Sequence, residues 1–213
     1  MKNKKLVATL AVLGLLAAAF ILWRQFSGPH VNLRPSAAVG AVLAEELGRL
    51  LGGPGKVVIL SRQSAHEGPD ATRERVTALT AALQSHAMLK LAGTEIMPRA
   101  AGGMMDMGGV TEEQFLAAAE KYPDAKAIVV FGGLPPCSQS LAEKLNAGSL
   151  KAVAVCGYGP TVRRWLESKT LAIAVVPRME DLPTGTPAPK TPREWFQREF
   201  EIITPETVGQ RPY

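Results

Sequence analysis

Hydrophobic residues along this chain gather in short runs that alternate with amphipathic stretches. Four of the runs are continuous and rich in β-branched residues, which is typical of strands buried on both faces. These runs cover residues 57–60, 127–131, 152–155 and 171–176. A weaker run at 91–97 predicts a fifth strand.

The stretches between the runs have the apolar spacing of helices packed on one side. Predicted helices cover residues 36–51, 70–86, 138–147 and 160–168, and a capping box at Thr111 and Gln114 opens another. Ser36 is the predicted N-cap of the first helix. In the helix at 70–86, the charged residues 73–75 lie away from the apolar side. Alternating strands and helices predict right-handed crossovers and a mainly parallel sheet, so the expected fold class is α/β.

The chain divides into three predicted regions, at residues 1–28, 29–181 and 182–213. In the first, Lys2, Lys4 and Lys5 precede residues 6–23, which contain no charge. Eighteen helical residues extend about 27 Å, close to the ~30 Å hydrocarbon core of a bilayer. The sequence therefore predicts a single transmembrane anchor with the N-terminus in the cytoplasm, because the lysines precede it.

A cleaved signal peptide is the alternative interpretation of this region. Residues 17–19 are three alanines, which would suit signal peptidase. Residues 20–23 nevertheless continue the apolar run past those alanines, and Trp23 and Arg24 suit a membrane interface. These features favour the retained anchor.

The third region begins with a proline-rich linker and ends with a short strand-like run at 200–204. That run is too short for a second domain, and it is expected to be an edge strand or a clasp. Trp195, Phe196 and Phe200 give the segment an aromatic character that predicts contact with a partner protein.

Charge and motifs exclude several functions. The chain has 24 Lys and Arg residues, of which four flank the apolar run, leaving 20 against 19 Asp and Glu. This balance and the absence of a basic block argue against nucleic-acid binding. The sequence has no Gly-x-Ser-x-Gly elbow, phosphate loop or dinucleotide-binding motif, so neither an enzyme nor a cofactor is predicted.

The order of segments resembles the C-terminal lobe of type I periplasmic sugar-binding proteins. The segments that carry this resemblance are residues 38–44, 52–60, 122–128, 150–155, 165–177 and 200–206. The resemblance implies a single flavodoxin-like lobe with a five-stranded sheet and a solute-binding ancestry without catalysis. The chain has room for only one of the family's two lobes. With the anchor, it also implies a main domain in the periplasm, tethered to a bacterial inner membrane.

Ligands of open parallel sheets bind beyond the carboxyl ends of the strands. Ser61, Arg62, Tyr158 and Arg178 follow or end predicted strands, and by the resemblance they are the candidate ligand-binding residues. Ordinary loop polarity is the alternative explanation.

Two further groups of residues carry possible chemistry. Cys137 and Cys156 follow strands expected to be neighbours, so they form either a disulfide or two buried free thiols. Met104, Met105 and Met107 lie in a glycine-rich stretch that could bind Cu(I), contact a partner or dock on the core.

Three hypotheses of function follow from these expectations. The first is an anchored accessory subunit of an envelope protein complex. The second is a sugar-binding component of a transport or sensing system, with the ligand at the strand ends or between two lobes of a homodimer. The third, a minor alternative, is Cu(I) binding at the methionine loop.

Overall fold

The computed structural model describes residues 32–62, 70–97, 109–179 and 187–210. Within these ranges one sheet of six strands, in the order β2-β1-β3-β4-β5-β6, forms the centre of the fold. The first five strands of the chain run parallel and β6 runs antiparallel to β5. The strands are β1 (Gly55–Arg62), β2 (Leu89–Met97), β3 (Ala125–Phe131), β4 (Lys151–Val155), β5 (Leu171–Pro177) and β6 (Phe200–Ile203).

Helices cover both faces of the sheet. They are α1 (Arg34–Leu51), α2 (Ala71–Ser85), α3 (Glu112–Lys121), α4 (Gln139–Ala147), α5 (Pro160–Glu167) and α6 (Pro192–Glu199), and a short 3₁₀ helix follows at Val208–Gln210. Because successive strand residues point to opposite faces, the apolar runs fill two cores. Val58, Leu60 and Ile128 pack towards α3, α4 and α5, whereas Val57 and Ile59 pack towards α1, α2 and α6. The predicted α/β class is confirmed.

Local capping explains where several helices begin. The predicted capping box is present, since Thr111 and Gln114 bond reciprocally at the start of α3. A second capping box, formed by Thr191 and Glu194, opens α6. The prediction that Ser36 caps the first helix is wrong: α1 begins at Arg34, where a proline in the first turn replaces a side-chain cap, and Ser36 is buried inside the helix.

The sheet has one strand more than the five that the resemblance implied. The C-terminal run forms β6, which pairs through Phe200 with Pro177 and through Ile203 with Ala174. This pairing confirms the edge-strand alternative, and it satisfies the backbone groups along the outer side of β5.

The segment that leads into β6 also belongs to the main body of the fold. Helix α6 lies against α1, where Arg193 forms ion pairs with Glu45 and Glu46. All described residues from Leu33 onwards fall within one compact unit, Leu33–Tyr213.

The predicted anchor at residues 6–23 lies outside the described residues. Among the helices that the structure does describe, none is both long and apolar enough to span a bilayer.

The order of the strands reverses direction at β1, and this reversal determines where a ligand site is expected. The chain moves outward from β1 to β2 and then returns to the other side of β1 to form β3. The connections that leave β1 and β3 therefore diverge, with α2 on one face of the sheet and α4 on the other. Such a divergence opens a crevice at the carboxyl ends of the strands, where ligands of this fold class bind.

Candidate functional site

A cavity of about 330 Å³ lies at the carboxyl ends of β3, β4 and β5, on the face covered by α2. We call it the carboxyl-edge cavity. Its lining residues come from these strand ends, from the start of α2 and from β6. They are Thr72, Arg75, Phe131, Gly132, Gly133, Val155, Cys156, Gly157, Val175, Pro177 and Phe200. The volume lies at the lower end of the range of about 300–1,000 Å³ for small-molecule sites, which suits a ligand of monosaccharide size.

Arg75 is the charged side chain among these lining residues. Its guanidinium carbon lies 5.1 Å from the centre of the Phe200 ring, a cation–π distance. Within the described ranges its Nε is buried and has no hydrogen-bond partner. Burial lowers the pKa of Arg75 below its usual range, and the nearby Asp70 carboxylate opposes that shift. A guanidinium remains charged at neutral pH, so Arg75 brings a partly desolvated positive charge to the cavity.

Asp70 has a structural task of its own. It is the N-cap of α2, and its carboxylate accepts a hydrogen bond of 2.8 Å from the backbone amide of Thr72. This bond fixes the first turn of α2 beside the strand ends. The position of Arg75, five residues after the cap, therefore depends on a local signal that the sequence contains.

Glycines let the backbone itself form part of the cavity wall. Gly132 has a φ of +120°, which L side chains rarely adopt, and its amide donates to the carbonyl oxygen of Val155. Gly133 forms a β-bridge with Gly109, and its carbonyl oxygen accepts from the Val110 amide at 2.9 Å. These bonds hold the turn after β3 against β4 and against the segment that precedes α3.

Cys156 lines the same cavity directly after β4. Burial raises the pKa of its thiol to about 12. The thiol is therefore protonated at neutral pH and a poor nucleophile. It offers the cavity a small, weakly polar surface.

The four ligand-binding residues predicted from the sequence all lie at the carboxyl edge of the sheet. Ser61 is buried near the end of β1 and Arg62 ends that strand, whereas Tyr158 follows β4 and Arg178 follows β5. The Tyr158 hydroxyl and the Arg178 Nε are buried without a hydrogen-bond partner among the described residues. The four are not among the described lining residues of the carboxyl-edge cavity, so their role stays a prediction.

The cysteines are both free thiols, as in the second of the two alternatives, but both are partly and not fully buried. The strands that precede them, β3 and β4, are neighbours as expected. Cys137, however, lies six residues beyond the end of β3, in a loop fixed by a hydrogen bond of 2.9 Å from Trp165 Nε1 to the Pro135 carbonyl oxygen. Its sulfur lies 3.9 Å from Ser168 Oγ, after α5, whereas Cys156 lines the cavity. The expected disulfide is therefore not formed.

The aromatic residues of the C-terminal segment pack within this chain. Phe196 and Phe200 are 3% and 6% exposed, and their ring centres lie 6.0 Å apart. Trp195 is half-buried and lines a second cavity of about 620 Å³, between α1 and α6. The described lining residues of this second cavity come from α1, from α6 and from the segment before α6, and none of them belongs to a strand.

The Cu(I) hypothesis is not tested by the described part of the chain. The loop with Met104, Met105 and Met107 lies outside the described residues. Within the described ranges, no three His, Cys, Asp or Glu side chains are grouped so that they could hold a metal ion.

Arg75 and Phe200 are the residues that sequence reasoning missed. The sequence pattern assigns Arg75 to the polar side of a helix, and it assigns Phe200 to an edge strand or clasp and to a partner-binding segment. One signal was available for Arg75, because the first turns of a helix that follows a parallel strand lie at the carboxyl edge. The local pattern predicts a strand at Phe200, but its place beside Arg75 depends on the long-range pairing of β6 with β5.

No protein-family model matches this sequence, and a search of curated proteins finds no relative. The likeness that these comparisons find is to solved structures. An ABC-transporter solute-binding protein from Burkholderia graminis, in complex with D-arabinose, matches with a TM-score of 0.55 and 16% identity. The match covers 84% of this chain and 62% of that protein.

Two more neighbours show the same relationship. The arabinose-binding protein from Geobacillus stearothermophilus matches with a TM-score of 0.55 and 13% identity, over 84% of this chain and 63% of that one. A LacI-type transcriptional regulator from Bacteroides fragilis matches with a TM-score of 0.53 and 14% identity, over 83% and 62%. The chain thus spans a little under two thirds of the length of these proteins. At such low identity the likeness concerns the fold alone: the chain has the α/β fold of type I solute-binding proteins and LacI-like regulators.

Proposed function

We propose that this chain is the sugar-binding component of a transport or sensing system and that its ligand occupies the carboxyl-edge cavity. The observation that carries the proposal is the coincidence of three features at one place. A cavity of monosaccharide size lies at the carboxyl ends of the strands, it contains a partly desolvated arginine, and the fold is one whose solved examples include arabinose-binding proteins.

The lining of the cavity suits a sugar ring in two ways. Phe131, Val155 and Val175 present apolar surface against which the C–H groups of a ring can pack. The wall formed by Gly132, Gly133 and Gly157 lets a ring approach the backbone closely, because no Cβ intervenes.

We further propose that the chain works at the periplasmic side of a bacterial inner membrane, held there by residues 6–23. The lysines before this run and the Trp-Arg pair at its end support that placement. A single-pass anchor would keep the binding unit near a membrane-embedded transporter or sensor.

A partner surface is a second candidate function, and two exposed apolar side chains favour it. Ile96, near the end of β2, is 65% exposed, and Met179, just after β5, is 83% exposed. Both lie on the carboxyl edge, at opposite ends of the row of parallel strands. A second copy of this chain, seated on this edge, would cover them and the cavity together. The accessory-subunit hypothesis has less support, because Phe196 and Phe200 are occupied within this chain.

A thermal-shift titration of the full chain in mild detergent tests the proposal, with D-arabinose, D-galactose and D-glucose and the corresponding sugar acids as ligands. A ligand present at 100 times its Kd stabilises the native state by about 2.7 kcal/mol, which raises the Tm of a domain of this size by about 5–10 °C. Cys156→Met fills the cavity and is expected to abolish the shift. Lys151→Met, at the opposite end of the same strand, is the matched control and is expected to retain it.

Two results would count against the proposal. The first is that none of the compounds raises the Tm. The second is a shift that Cys156→Met leaves unchanged, because the ligand would then bind elsewhere. The molecular mass of the protein in solution, measured with and without the ligand, also tests whether a second copy of the chain covers the carboxyl edge. That arrangement predicts a dimer that the ligand strengthens.

A further inference from the structure

The charge of the carboxyl-edge cavity restricts the kind of ligand it can hold. Among the described lining residues, Arg75 is positively charged and none is acidic. Building on the proposed function, we propose that the ligand is a monosaccharide acid, whose carboxylate Arg75 binds through its guanidinium group.

The first argument concerns the cost of burying Arg75. A charge removed from water is unfavourable unless an opposite charge or hydrogen bonds compensate for it. Within the described residues, Nε of Arg75 has no hydrogen-bond partner, and the facing ring of Phe200 supplies only a cation–π contact. A ligand carboxylate would supply the missing acceptor and would add its negative charge to that of the nearby Asp70. The planar guanidinium can bind it with two parallel hydrogen bonds.

The second argument concerns the acidic groups near Arg75. Asp70 is close enough to influence it, but its carboxylate is already bonded to the Thr72 amide at the helix start. Glu201 follows Phe200 in β6, and strand alternation turns it to the opposite face of the sheet, the face to which Ile203 packs. Asp70 therefore compensates part of the charge of Arg75 from the helix start, and Glu201 lies on the other face, so a carboxylate bound inside the cavity would add an acceptor that neither acid places there.

The third argument concerns the rest of the wall. Apart from Arg75, the polar side chains among the described lining residues are the Thr72 hydroxyl and the neutral Cys156 thiol. The other side chains are apolar or absent, as at the three glycines. A ligand with one charged end and one apolar face matches this arrangement, and a uronic or aldonic acid has both.

The test compares neutral sugars with acids that differ from them only at one carbon. D-Galactose and D-galacturonate form one pair, and D-glucose and D-glucuronate form another. Binding of each compound to the full chain is measured by isothermal titration calorimetry at two ionic strengths. We expect at least one acid to bind ten-fold or more tightly than its neutral partner, with an affinity that falls as salt is added.

Two variants identify the responsible residue. Arg75→Gln is expected to weaken binding of the acid by about ten- to a hundred-fold and to remove its advantage over the neutral sugar. Arg75→Lys keeps the charge but loses the paired hydrogen bonds, so it is expected to retain part of the preference. Lys90→Gln, which removes an exposed cation at the opposite edge, is the matched control and is expected to change neither affinity.

The outcomes separate this inference from the proposed function. Tighter binding of the neutral sugars, or a preference for acids that survives Arg75→Gln, overturns the inference and leaves sugar binding standing. Failure of both classes to bind overturns the two together. Loss of the preference in Arg75→Gln, with the neutral sugar still bound, supports both.

Discussion

The two edges of the parallel sheet both carry positive charge, but they hold it in different environments. At the amino edge a lysine occupies one of the first two positions of each of four strands. These residues are Lys56 in β1, Lys90 in β2, Lys126 in β3 and Lys151 in β4, and all four are exposed. At the carboxyl edge Arg62, Arg75 and Arg178 are all partly buried, whereas Arg73, in the first turn of α2, is exposed.

The neighbours of these charges explain the difference. Lys56 pairs with Asp124 at 3.1 Å, and Lys121 lines the same shallow depression and pairs with Glu95 at 2.7 Å. These cations stay hydrated, and they also lie where the C-terminal ends of the helices favour positive charge. Arg75 instead lies over an aromatic ring, with a buried nitrogen that lacks a partner among the described residues. Net charge therefore does not identify a binding site in this fold, whereas a partly desolvated charge beside a cavity does.

Among the substitutions that distinguish the two edges, Phe200→Ala is expected to have the largest effect on the free energy of unfolding. The Phe200 ring is 6% exposed and packs against Phe196 and Arg75. Its removal is expected to lower the free energy of unfolding by about 3–5 kcal/mol, through lost burial and the cavity that remains. Urea denaturation of the full chain measures this. Lys56→Ala, at the amino edge, is expected to change stability by less than about 0.5 kcal/mol.

Phe196→Ala is the matched control for ligand binding. It removes a ring of equal size and similar burial from the same segment, but one outside the described lining of the cavity. Both variants should lose comparable stability, and only Phe200→Ala should also weaken the ligand-induced rise in Tm. Equal loss of the ligand effect in the two variants would show that stability, and not the contact with Arg75, controls binding.

Gly132→Ala, at the carboxyl edge, is expected to have a smaller effect on the free energy of unfolding. The φ of +120° at Gly132 is unfavourable for any residue with a Cβ, so alanine is expected to cost about 1–3 kcal/mol. Gly157→Ala is the control, because a Cβ built there meets no atom within 4 Å and φ is not positive. If the two variants proved equally stable, the turn after β3 would have to relax without cost, and the shape of the cavity wall would not depend on Gly132.

The contrast between the edges also shows how much of the fold the sequence could reveal. The strands β1, β3, β4 and β5 were predictable because both of their faces are buried, which leaves continuous apolar runs such as 127–131. The capping box at Thr111 and Gln114 was predictable because it is local. The start of α1 was not, since Pro35 and Ser36 both offer helix-start signals and the sequence does not say which one the backbone uses.

The candidate site was predictable only in its location. The carboxyl edge follows from strand polarity, so Ser61, Arg62, Tyr158 and Arg178 were placed at the correct edge. Which side chains line a cavity there depends on how α2 and β6 pack, and these contacts join residues more than a hundred positions apart, as with Arg75 and Phe200. The same limit applies to the cysteines, because the loop after β3 turns Cys137 towards Ser168.

The smallest effect is expected where a cation is exposed and already paired, as Lys121 is with Glu95. The Glu95 carboxylate accepts hydrogen bonds from Lys121 Nζ at 2.7 Å and from the Tyr122 hydroxyl at 2.5 Å, and these bonds lower its pKa. A carboxylate whose pKa is lower in the folded state stabilises the fold above its unfolded pKa, about 4.3, and this contribution disappears as the pH falls through the folded value.

Glu95→Gln should therefore be slightly less stable than the parent chain at pH 7 and equally stable near pH 2–3. Urea denaturation at the two pH values measures the gap, which is expected to shrink at pH 7 when salt is added. A gap that stayed the same at both pH values would mean that the side chain acts through packing, and the distinction between the hydrated cations of the amino edge and the partly desolvated Arg75 would lose its electrostatic basis.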